Sequence, residues 1–126
     1  MRAVDTNVLV RVLARDDARQ LAAAEAFVET GAWVSHLALA EAVWVLATVY
    51  ELAAPAIATA VHMLLNHRSI ALEDPDIVSN ALQLFRRRQA LGFSDCLLLE
   101  IARKAGHLPL GTFDRSLAAV PGAVRL

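Results

Sequence analysis

Residues 2–14, RAVDTNVLVRVLA, decide the fold because they lead from a short strand into a helix through an aspartate. The strand is predicted at residues 2–4 and the helix at residues 7–14, with Asp5 and Thr6 at the junction. A carboxylate at the end of an apolar run either marks the point where the strand turns into solvent or belongs to a functional site. Acidic residues in similarly improbable places elsewhere in the chain would favour the functional site.

Strands and helices alternate along the rest of the chain. Further strands are predicted at residues 32–35, 69–72, 107–112 and 123–126. Helices are predicted from residue 17 towards residue 30, and then at 37–52, 55–67, 74–91 and 94–104. Their predicted caps are Asp17, Ser35, Asp74 and Ser94, and their stop signals are Gly31, Gly92 and Gly106. This order predicts an α/β fold with right-handed crossovers and a central parallel sheet of four to five strands, covered on both faces.

Length and composition limit the possible classes of protein. The chain has 126 residues, which predicts a single domain over 1–126, and its apolar content of 57% predicts a large core or a subunit interface. Its longest apolar segment without a charge, residues 52–67, is interrupted by polar residues, so no membrane span is expected. Asp5 and Arg11 interrupt any possible signal peptide, and Cys96 is the only cysteine. These features predict a cytoplasmic protein without disulfides.

Three more acidic residues lie near predicted strand ends or early helical turns, as Asp5 does. Glu41 is the only charge between residues 37 and 50, Asp95 begins a helix with an apolar following turn, and Asp114 follows the fourth strand. Asp95 alone fits the helix dipole and Asp114 alone fits a turn or an N-cap, whereas Glu41 in its apolar helix needs a partner, a metal or a route to solvent. A parallel sheet can gather all four at one edge, where without a cation they would repel one another and some would take up protons. Oxygen ligands favour Mg²⁺ or Mn²⁺ and disfavour structural zinc.

Four segments carry a resemblance to a known family: VDTNVLVR at 4–11, LAEAVWVL at 39–46, FSDCLLLEIARKAG at 93–106 and TFDR at 112–115. In order and spacing the chain resembles the PIN-domain family, and within it the VapC-like toxins of type II toxin–antitoxin modules. The resemblance implies a three-layer α/β/α sandwich and a metal-dependent endoribonuclease. It also implies a small antitoxin protein as partner.

The same resemblance assigns roles to residues by motif position. Asp5, Glu41, Asp95 and Asp114 look like the acidic quartet. Asp5 and Asp95 are the expected direct ligands of Mg²⁺, for which Mn²⁺ could substitute, and Glu41 and Asp114 would hold a second ion or act through water. The residues expected to support the quartet are Thr6, Asn7 and Thr112. Arg11 and Arg115 lie close to it in sequence and are candidates for contacts with RNA phosphates.

Other interpretations of the chain make different predictions. A response-regulator receiver needs a lysine near its phosphoacceptor, whereas the only lysine, Lys104, comes late in a helix. A haloacid-dehalogenase-like phosphatase needs a second aspartate where Asn7 stands. A PIN fold that acts as a binding module with little catalysis remains open. The apolar helix at residues 55–67 further predicts a homodimer, since it has more apolar surface than the burial of one helix face against its own domain requires.

Overall fold

The strand and helix predicted around Asp5 are present in the computed structural model, as β1 (Arg2–Ala3) and α1 (Thr6–Ala14). The structure describes residues 1–88 and 90–126. This part of the chain divides into two compact units, residues 1–75 and residues 76–126. The single domain over 1–126 stays a prediction.

The first unit is built on a three-stranded parallel sheet. After α1 come α2 (Ala18–Val28), β2 (Ala32–Val34), α3 (His36–Thr48), α4 (Ala54–Leu65) and β3 (Ile70–Leu72). The strand order is β1-β2-β3, with Ala3 opposite Trp33 and Trp33 opposite Ala71. A helix-containing crossover joins each parallel pair, as the alternation of elements predicts.

Apolar residues at helical spacing form the core of the first unit. On α3 the buried positions include Leu39, Ala42, Val43 and Leu46, which fall on one face of the helix. This helix contacts α1 and α4, and α1 also contacts α2. Because these helices pack on one another, their ends, and therefore the residues at their N-termini, have fixed positions.

Side-chain caps begin two of these helices as predicted. Asp17 accepts a hydrogen bond from the backbone N of Gln20 at 3.0 Å, and Ser35 accepts one from the backbone N of Ala38 at 3.1 Å. Such caps satisfy donors that a helix N-terminus leaves unpaired. The two cap predictions are confirmed.

The second unit contains α5 (Pro75–Arg87), which begins at the last residue of the first unit, followed by α6 (Phe93–Ala105), β4 (Leu110–Thr112), α7 (Arg115–Ala118) and β5 (Ala123–Arg125). Strands β4 and β5 pair in parallel, with Thr112 opposite Arg125. The Phe85 and Phe93 rings meet edge to face, with centroids 5.8 Å apart. Gly106 ends α6 in the left-handed conformation at φ 81°, which confirms its predicted role.

Several predicted helix ends are wrong in this half of the chain. The N-cap of α6 is Gly92, so Ser94 lies inside the first turn and does not cap the helix. The helix α5 ends at Arg87, short of the predicted residue 91; residue 89, within that stretch, lies outside the described residues. The short helix α7 was not predicted, because four residues are too few to show an apolar period.

The described residues form seven helices and five strands, and every strand pair is parallel. The predicted α/β class is confirmed, although the described strands form a three-stranded and a two-stranded sheet and not one sheet of four to five strands. Within the described ranges, no helix combines the length and apolar character that crossing a membrane requires.

Candidate active site

Asp5 stands between β1 and α1 and caps the helix. Its Oδ1 accepts a hydrogen bond from the backbone N of Val8 at 3.1 Å, while its own backbone remains extended. The residue is exposed, and Oδ2 does not take part in this bond. One carboxylate oxygen therefore holds the helix N-terminus, while the other is left for a further ligand.

Glu41 approaches the same β1–α1 junction from α3. The hydroxyl Oγ1 of Thr6 donates a hydrogen bond to Glu41 Oε2 at 2.7 Å. Glu41 is exposed although its helix is mostly apolar, so this carboxylate has both a partner and contact with solvent. Leu37 and Trp44, four residues before it and three after it, are 69% and 61% exposed and share its face of the helix.

Asn7 and Arg11 face a pocket beside Asp5. This pocket, of about 380 Å³, is lined by Asp5, Asn7 and Arg11 on one side and by Gln20 and Phe27 of α2 on the other. It is of the size that small-molecule sites commonly have. Asn7 thus lies next to Asp5 as the motif position implied, although no hydrogen bond joins the two side chains among the described residues.

Arg11 is held by two residues that sequence reasoning missed. Its Nη1 donates to Asp16 Oδ1 at 2.8 Å and to the Tyr50 hydroxyl at 3.3 Å, and that hydroxyl donates to Asp16 Oδ2 at 2.8 Å. The hydrogen bond from Tyr50 is the largest cause that lowers the pKa of Asp16 below its usual value. Because Tyr50 is 34 residues from Asp16, no local sequence signal indicated this cluster.

Asp95 and Asp114 lie in the second unit and influence each other. Asp95 is in the first turn of α6 and is half-buried. Burial raises its pKa, and the negative charge of Asp114 raises it further. The two carboxylates are therefore close enough for their repulsion to disfavour the ionised form of Asp95.

Asp114 repeats the arrangement found at Asp5. It follows a strand, β4, and its Oδ1 accepts a hydrogen bond from the backbone N of Leu117 at 2.8 Å, which caps α7. The backbone N of Asp114 donates to Thr112 Oγ1 at 3.0 Å. Thr112 thereby contacts the residue that the resemblance expected it to order. Arg115, the first residue of α7, is exposed.

The donor chemistry of these residues fits a hard divalent cation. Each unit supplies two carboxylates of the quartet, Asp5 and Glu41 in the first and Asp95 and Asp114 in the second, and all four are exposed or half-exposed. Burial is the largest cause of the raised pKa of Asp95, and the charge of Asp114, the second cause, is one that a cation would compensate. Within the described ranges, no group of three or more His, Cys, Asp or Glu residues has a spacing that could hold a metal.

A PIN-domain family model matches residues 2–123, which is nearly the whole chain. The chain therefore belongs to the PIN domain family. Searches of curated proteins and of solved structures found no significant match. PIN domains are typically nucleases, generally act on RNA and usually use divalent metal ions. The fold class predicted from the sequence and the family it resembles are confirmed.

Proposed function

We propose that the chain is a metal-dependent endoribonuclease of the VapC-like toxin type, with Asp5, Glu41, Asp95 and Asp114 as its acidic quartet. The observation that carries the proposal is the pairing of Asp95, half-buried in the first turn of α6, with Asp114 at the end of β4, whose charge adds to burial in raising the pKa of Asp95. Two ionised carboxylates held close together repel each other, and this repulsion destabilises the folded state unless a positive charge lies nearby. Both belong to the segments that resemble the family, and the PIN-domain match spans both.

The contacts of these residues support the roles that the resemblance implies. Asp5 and Asp95 bind the ion, and Asp5 can do so through Oδ2 while Oδ1 keeps its bond to the α1 backbone. Thr6 orients Glu41 through the 2.7 Å hydrogen bond. When bound, Mg²⁺ supplies a water of lowered pKa and positive charge beside the phosphate. Glu41 and Asp114 bind a second ion or orient water.

The test is cleavage of a defined RNA by purified protein with Mg²⁺, with Mn²⁺ and with EDTA. Asp5→Asn and Asp95→Asn should each remove cleavage, because each replaces an anionic ligand by a neutral amide of the same size. Asp17→Asn is the matched control, since Asp17 also caps a helix but lies outside the quartet. Undiminished cleavage in either quartet variant, or cleavage that EDTA does not affect, would contradict the proposal.

The toxin role includes two protein partners, a small antitoxin and a second copy of the chain. Exposed apolar side chains on α3 and α4 support association: Leu37 and Trp44 on α3, and Met63, which is 59% exposed, on α4. Light scattering at micromolar concentration should report a dimer, and a monomer would contradict that part. Expression of the wild type should arrest growth, whereas Asp95→Asn should not.

A second candidate function is a PIN-fold binding module with little catalysis. The observation in its favour is that Asp5 and Asp114 both cap helices, so each carboxylate has a structural role without any metal. This function predicts RNA binding without cleavage in Mg²⁺ or Mn²⁺. Cleavage that depends on Asp95 would rule it out.

A further inference from the structure

A second pocket in residues 76–126, of about 350 Å³, is lined by three arginines. Arg87 is the last residue of α5, Arg88 follows it, and Arg103 lies in the last turn of α6. Leu84 and Val120, which are both buried, also line the pocket, and Glu100 is the one acidic lining residue. We call this site the arginine pocket.

One of the three guanidinium groups, that of Arg103, forms hydrogen bonds within the protein. Arg103 Nε donates to Glu100 Oε2 at 2.9 Å, and Arg103 Nη2 donates to the backbone carbonyl of Pro121 at 2.8 Å. Glu100 is thereby neutralised and Arg103 is fixed in place. Arg87 and Arg88 are exposed and form no ion pair within the described part of the chain. The pocket therefore has an excess of two positive charges, although the whole chain has a net charge of −1.

The arginine pocket is separate from Asp95, which lies on the same helix, α6. Arg103 and Asp95 are eight residues apart on α6, which corresponds to about 12 Å along the helix axis. A phosphate bound in the pocket is therefore a different phosphate from one bound at Asp95. A ligand that reaches both places must be a polymer with several phosphates.

We propose that the arginine pocket binds the phosphate backbone of an RNA at a distance from the bond that is cleaved. The inference rests on the proposed function, because it takes the RNA substrate from there. A planar guanidinium group can donate two parallel hydrogen bonds to the oxygens of one phosphate, and Arg87 and Arg88 are both exposed in the pocket. The pocket contributes affinity for long RNA and takes no part in the cleavage itself.

The binding test compares the double variant Arg87→Gln/Arg88→Gln with the control Arg68→Gln/Arg125→Gln. Both remove two exposed positive charges, but the control residues lie outside the pocket. Fluorescence anisotropy of a labelled 20-nucleotide RNA is measured in EDTA at 50–200 mM salt. Loss of two phosphate contacts should reduce the slope of log affinity against log salt by about 1.4 and weaken binding about 25-fold at 0.1 M salt. The control should keep the wild-type slope.

A kinetic test separates this inference from the proposed function. On the 20-nucleotide RNA in Mg²⁺, the pocket variant should show a raised KM with an unchanged kcat. Hydrolysis of bis(p-nitrophenyl) phosphate, which is too small to reach the pocket, should not change. If the wild type cleaves neither substrate, the proposed function fails, and the salt slope still decides whether the pocket binds RNA.

Two outcomes would overturn the inference. One is a pocket variant with the same salt slope and affinity as the control variant. The other is tight binding of poly-glutamate that competes with RNA in the wild type and is lost in the pocket variant, since this would assign the pocket to an acidic protein segment. Circular dichroism of each variant verifies that the exposed substitutions leave the fold intact.

Discussion

Replacing Asp5 by Asn and by Ala should separate its structural role from its chemical role. The hydrogen bond from Val8 N to Asp5 Oδ1 makes Asp5 the N-cap of α1. Asn caps a helix about as well as Asp, whereas Ala does not, at a typical cost of about 1 kcal/mol. Loss of the negative charge near the helix N-terminus costs both variants about 0.3–1 kcal/mol. In EDTA, Asp5→Asn should therefore lie within about 1 kcal/mol of the wild type, and Asp5→Ala about 1 kcal/mol lower still.

Thermal unfolding followed by circular dichroism measures this difference. For a chain of 126 residues, 1 kcal/mol corresponds to about 4 °C in Tm. Mg²⁺ at ten times its Kd should stabilise the wild type by about 1.4 kcal/mol and each Asp5 variant by less, because only the folded site binds the ion. Both variants should lose RNA cleavage, although only the Ala variant loses the cap.

Asp17 provides the matched control, because it caps α2 through the backbone N of Gln20 at 3.0 Å. Asp17→Ala should lose about the same stability as Asp5→Ala loses relative to the wild type, since each loses both a cap and a negative charge at a helix N-terminus, yet it should keep its cleavage activity. If Asp5→Ala proves as stable as Asp5→Asn, the cap contributes nothing. If Asp17→Ala also loses cleavage, the activity assay reports stability and not the site.

Three further predictions concern single side chains. Because the pKa of Asp95 is raised, its ionised form costs stability at neutral pH, so Asp95→Asn in EDTA should be at least as stable as the wild type. The difference should shrink as the pH falls through that pKa, and melts between pH 7 and pH 4 would measure it; a gap that widens on acidification would contradict the cause. Tyr50→Phe should raise the pKa of Asp16 towards its usual value, measured by carboxyl ¹³C titration, and an unchanged value would contradict the role given to the hydroxyl. Burial raises the pKa of Cys96 to about 12, so a thiol reagent at pH 8 should modify the unfolded chain and leave the folded chain unmodified; rapid reaction of the folded chain would disprove this.

Local chemistry explains which parts of the fold could be predicted from the sequence. Asp17, Ser35 and Gly106 act within a few residues of their own positions, so their roles follow from the sequence around them. Ser94 was misassigned because Gly92, two residues earlier, already has the extended backbone of a cap. A serine in a first turn and a serine at a cap have the same local sequence signal.

Contacts between distant residues explain what the sequence did not indicate. The apolar surroundings of Glu41 made it conspicuous, but its hydrogen bond with Thr6 joins residues 35 positions apart. The contacts of Arg11 with Asp16 and Tyr50, and the position of Arg103 beside Arg87 and Arg88, depend equally on how helices pack. How helices pack depends on the whole chain. Residue types and local patterns therefore identified the acidic residues, but they did not identify the distant residues that contact them.

The use of Asp5 and Asp114 as helix caps has a consequence for how this chain could change by mutation. A cap accepts Asp, Asn, Ser or Thr with little loss, whereas a cation ligand at the same position requires the carboxylate. Single-base drift from Asp to Asn would therefore silence the proposed chemistry and leave a well-folded protein. A library screened only for folding should return Asn and Ser at both positions, and one screened for RNA cleavage should return Asp alone.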